Sequence, residues 1–161
     1  MGHTATGVVG NQRGDDDVGR CLPYLEDMTQ TAISTRTDRS RALTATRALS
    51  GVIAALVLVQ GASAGSYLTG LGGALDLHRR VGTELVSLLA IVTIVTAAFG
   101  VRRLGWPLPV SIVGFLGIGM QIGMGFTDQL QIHLPLGIAL FGTYLAMAIL
   151  IKNPNQTMET S

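Results

Sequence analysis

From residue 48 onward the chain is dominated by four apolar runs separated by short polar breaks. The first runs from about Ala48 to Gly70 and carries no charge. The second, about Val81 to Val101, carries one, Glu84. The third runs from about Pro107 to Thr127 and the fourth from about His133 to Ile151. Each is close to the ~20 residues a helix needs to cross a ~30 Å hydrocarbon core. The runs are too long for membrane strands and lack period-two alternation. Short connections between them predict antiparallel neighbours. The fold expected is an all-α, up-down four-helix transmembrane bundle.

Residues 1–47 read differently. They are rich in Thr, Gly, Arg and Asp, with an acidic run at Asp15, Asp16 and Asp17. No helical or strand periodicity persists there, so a mostly disordered N-terminal arm is expected. Met28 is an alternative translation start to Met1. A short tail, residues 153–161, follows the fourth run.

Composition agrees with a membrane protein. Of 161 residues, 48% are hydrophobic and only 13% charged, against about 25% charged in soluble domains. Mean hydropathy is +0.46. A net charge of +1 provides no basic field for nucleic acid. The single cysteine, Cys21, excludes an internal disulfide and a thiolate cluster. No phosphate-binding loop, nucleophile elbow, zinc-protease motif or dinucleotide fingerprint is present.

Basic residues suggest an orientation. Arg36, Arg39, Arg41 and Arg47 precede the first run, Arg102 and Arg103 lie between the second and third, and Lys152 follows the fourth. Only Arg79 and Arg80 lie on the other side. By the positive-inside rule both termini are cytoplasmic, in the cell membrane. A competing reading takes helix one as a secretory signal cleaved after Ala62-Ser63-Ala64. Against it, the apolar run continues past that site.

The four runs form two similar halves. Gln60-Gly61, then Gly65 and a loop, precede Leu75-Asp76-Leu77-His78-Arg79-Arg80-Val81-Gly82. Gln121, then Gly123 and Gly125 and a loop, precede Leu130-Gln131-Ile132-His133-Leu134-Pro135-Leu136-Gly137. The shared pattern is Gln, small residues, a loop, then L-x-[LI]-H-x-x-x-G. Parallel repeats about an axis along the membrane normal place His78 and His133 at equal depth, facing each other across the bundle.

Two facing imidazoles are natural axial ligands for a haem iron. Gly82 and Gly137, each one turn beyond a histidine, leave room for a flat macrocycle. Gly61, Gly65, Gly114, Gly117, Gly119 and Gly123 add small residues on the other helices. On this reading Arg79 and Arg80 pair with propionates, and Gln60 and Gln121 bond to the cofactor or between helices. The other reading keeps the histidines interfacial and the glycines as packing devices in a cofactor-free membrane subunit with a structural or partner-binding role. Glu84, four residues after Arg80, is expected to form an ion pair. Trp106 and Tyr67 are expected as interface anchors. His3 lies in the arm.

This pattern of paired histidines and glycines over about Ala48 to Ile151 resembles one four-helix half of the haem A synthase family. More loosely, it is similar to small bis-histidine b-type membrane cytochromes. In that family the histidines at the outer ends of the second and fourth helices hold a haem, and here those positions match His78 and His133. The chain has one such half where the family has two. Leu75 stands where the family's catalytic half has an acid, and the nearby acid is Asp76. The resemblance therefore implies the architecture and one haem b, serving electron transfer or haem handling with a redox or membrane-protein partner, rather than haem hydroxylation.

Overall fold

The computed structural model describes residues 15–100, 104–127 and 129–152. Among the described residues there are four helices: α1 (Asp15–Leu68), α2 (Ala74–Gly100), α3 (Pro107–Phe126) and α4 (Leu130–Leu150). All four are long and apolar enough to cross a membrane, α1 within Gln30–Leu68. The all-α four-helix architecture read from the apolar runs is the one observed. The chain divides into two units, Met1–Thr37 and Asp38–Ser161, and the second is the bundle.

The expectation of an irregular arm over residues 1–47 is revised, because α1 is already helical from Asp15. Between Pro23 and Gly51 there is neither Pro nor Gly to stop a helix. In the first unit, Thr31 and Thr37 hydroxyls donate to the carbonyls four residues back, at 2.9 and 3.0 Å. The bundle also begins before residue 48, since Leu43 and Thr46 are buried in it. Residues 1–14, the tail 153–161, Arg102 and Arg103 lie outside the described residues.

Two left-handed glycines, Gly70 and Gly73 with φ of 85° and 79°, turn the chain between α1 and α2. The Leu71 amide bonds back to the Ser66 carbonyl at 3.1 Å and caps α1. α2 starts earlier than its apolar run, so His78 lies inside the helix. It also contains a π-helical segment, Val81–Val86. α3 opens with Pro107 at its first position, where a missing N–H costs nothing.

The helices pack in a ring in chain order. Thr46 joins Thr96 of α2 at 2.9 Å. Tyr144 of α4 lies against Gly114 of α3. Arg47 Nε donates to the Ala148 carbonyl of α4 at 2.9 Å, placing a cation at that helix's negative end. α2 and α4 are therefore diagonal across the axis. Thr46, Ser50, Thr93 and Ser111 are buried, and each hydroxyl donates to its own helix four residues back. Such bonds satisfy polar groups where no water competes. Large apolar side chains such as Leu58, Phe99, Val113, Leu116 and Ile138 point outward. This surface suits lipid and would be a large exposed patch in water.

Candidate functional site

The site lies at the hairpin end of the bundle, where the α1–α2 and α3–α4 turns are. His78 sits one turn into α2 and His133 one turn into α4, so each ring is carried at the start of a returning helix. His78 Nδ1 lies 3.0 Å from the Gln60 carbonyl, and His133 Nδ1 lies 2.9 Å from the Gln121 carbonyl. A carbonyl oxygen only accepts, so Nδ1 of each ring carries the proton. The free lone pair of both is then on Nε2. The two ring centroids are 6.1 Å apart, tilted at 51°. The facing of His78 and His133 across the axis, read from the repeat, is present in the structure.

The glutamines act in a way the sequence did not suggest. Their backbone carbonyls, not their amides, engage the histidines. The amides lie over the two glycines. A Cβ on Gly82 would stand 2.7 Å from Gln60 Nε2, and one on Gly137 would stand 3.0 Å from Gln121 Nε2. Glycine at these positions therefore admits a neighbouring glutamine. Gln60 Nε2, Gln60 Oε1 and Gln121 Oε1 are buried and have no hydrogen-bond partner among the described residues. Unpartnered buried amide atoms are uncommon and costly.

These groups border a cavity of about 360 Å³ between all four helices, within the range of small-molecule sites. His78, His133, Gln60, Gln121, Gly82, Gly137 and Arg79 line it. Arg80 is exposed and does not. Glu84 is also exposed, and among the described residues no ion pair joins it to Arg80. Both side chains are exposed, where an ion pair gains little. Tyr67 lines the cavity mouth, whereas Trp106 packs partly against the core. His3 lies outside the described residues.

Two site residues escaped the sequence reading. Ser63 Oγ donates to the Gln60 carbonyl at 3.0 Å and lies 3.3 Å from His78 Nδ1. Gly125 makes room for the other ring, since a Cβ there would be 3.2 Å from His133 Cε1. Both belong to the small-residue clusters that follow each glutamine, and that clustering was the available signal.

No family model, curated protein or solved structure matches the chain. Fold and cavity define its class directly: a small multi-pass helical-bundle membrane protein with a paired-histidine cavity between its helices.

Proposed function

We propose that the chain binds one haem b between His78 and His133, for electron transfer or haem handling at the outer face of the cell membrane. The observation that supports this most is the matched pair of Nδ1–carbonyl bonds behind two rings 6.1 Å apart. Two imidazoles sharing one metal ion through bonds of about 2.0–2.1 Å would have ring centres about 6 Å apart. A flat organic molecule stacked between the rings needs about 7–8 Å. Carbonyl acceptors behind a ligating histidine set its tautomer and orientation and raise its basicity.

The residues present fit the group. His78 and His133 would hold the iron through their ring nitrogens. Gly82 and Gly137 are covered only by the ends of flexible glutamine side chains, which can swing aside. Arg79, exposed and lining the cavity, would pair with a propionate. When bound, haem b would supply one-electron redox chemistry. The Gln60 and Gln121 carbonyls would hold the two rings in register. Both termini are cytoplasmic on this reading, and the partner is a redox or membrane protein.

One observation favours the alternative of a cofactor-free subunit with a structural or partner-binding role. The space above both glycines is filled by glutamine side chains, as in simple helix packing. The visible spectrum of the purified full chain, supplied with haem and reduced with dithionite, separates the two. Sharp bands of a six-coordinate low-spin b-type haem are expected. A well-folded protein that stays haem-free under these conditions overturns the proposal.

A further inference from the structure

The two histidines stand in matching places, yet their hydrogen bonds are not equivalent. A carbonyl oxygen offers two lone-pair directions. In a helix interior the backbone ladder takes one of them. At Gln121, among the described residues, His133 is the one side-chain donor to the other, at 2.9 Å. At Gln60 two donors compete for it: the Ser63 hydroxyl at 3.0 Å and His78 Nδ1–H at 3.0 Å. The Ser63 oxygen, 3.3 Å from the same ring nitrogen, offers only a longer contact in return. Ser63 is 6% exposed, so its hydroxyl is held mainly by these protein groups. Met124 stands three residues after Gln121 as Ser63 stands three after Gln60, and it has no hydroxyl.

We propose that Ser63 is a positioning residue that makes His78 and His133 unequal ligands. By occupying the Gln60 carbonyl it weakens the polarisation of the His78 N–H, and so the electron donation from that ring's Nε2. His133 keeps the full effect of its carbonyl. The inference rests on the haem reading above. A less basic axial imidazole stabilises the oxidised iron less, so Ser63 raises the reduction potential of the bound group.

The experiment is a redox titration of the purified full chain loaded with haem b, followed through its visible bands. Ser63→Ala frees the carbonyl for His78 and is expected to lower the midpoint potential. Ser63→Thr keeps a hydroxyl and is expected to stay near wild type. Met124→Ser installs the competitor on the other side and is expected to raise the potential. A Ser63→Ala potential that is unchanged or higher overturns the inference, as does Ser63→Thr falling together with Ser63→Ala. Should Ser63→Ala lose its haem, Met124→Ser decides, and no rise there overturns the inference. A wild-type chain without haem overturns the haem reading itself, whereas haem-loaded variants of unchanged potential overturn only the role of Ser63.

Discussion

Gly82 lies directly beneath the side chain of Gln60, so that a Cβ on the glycine would approach Nε2 to 2.7 Å. The atom it meets is the far end of a flexible side chain. Gly82→Ala should therefore be accommodated by a shift of the Gln60 amide. Gly82→Leu should not, and overpacking of this kind costs about 1–3 kcal/mol. Thermal unfolding in detergent checks both. Haem content should fall in the leucine variant although both histidines remain, and unaltered content would show that the macrocycle does not lie over this position.

Removing one histidine tests the pair. His78→Ala and His133→Ala should each open a coordination position and weaken haem retention, and the double variant should abolish it. Spectra with added imidazole provide the check, since a small ligand entering the opened position should restore the low-spin bands. Indifference to either substitution would exclude that ring as a ligand.

Gln60 offers a test independent of any cofactor. Both of its amide atoms are buried and have no partner among the described residues. Gln60→Leu has similar volume and keeps the backbone carbonyl that holds His78. It should stabilise the cofactor-free protein by about 1–3 kcal/mol. A lower unfolding temperature would mean that the amide has a partner, such as ordered water.

The orientation is open to reporter fusions. A reporter after Lys152 should read as cytoplasmic, and one inserted near Gly72 as external. Inversion of both would place the cavity at the inner face. A mature chain beginning at Gly65 would lack Gln60 and Ser63, and with them half of the histidine support.

How much of this was legible beforehand differs by residue. The helices after residue 48 are written in charge-poor runs of bilayer length, and the Gln–His–Gly repeat is plain because its members are rare polar residues among apolar ones. The helix from Asp15 was hidden because its sequence has no apolar periodicity, although nothing between Pro23 and Gly51 interrupts it. The π-helical segment at Val81–Val86 arises from backbone bonding that no residue type encodes. Which atom of Gln60 and Gln121 meets a histidine depends on helix rotation, which spacing alone does not determine. Ser63 was masked for the same reason, as one more small residue between Ala62 and Ala64.

The matched histidine bonds close over unequal spans, 18 residues in the first half and 12 in the second. Ring placement is thus independent of how long the intervening turn is. The two halves can therefore differ in turn length while their rings stay at one level. The turn at residues 69–73 is accordingly where a tag or a soluble domain can be grafted without disturbing the cavity.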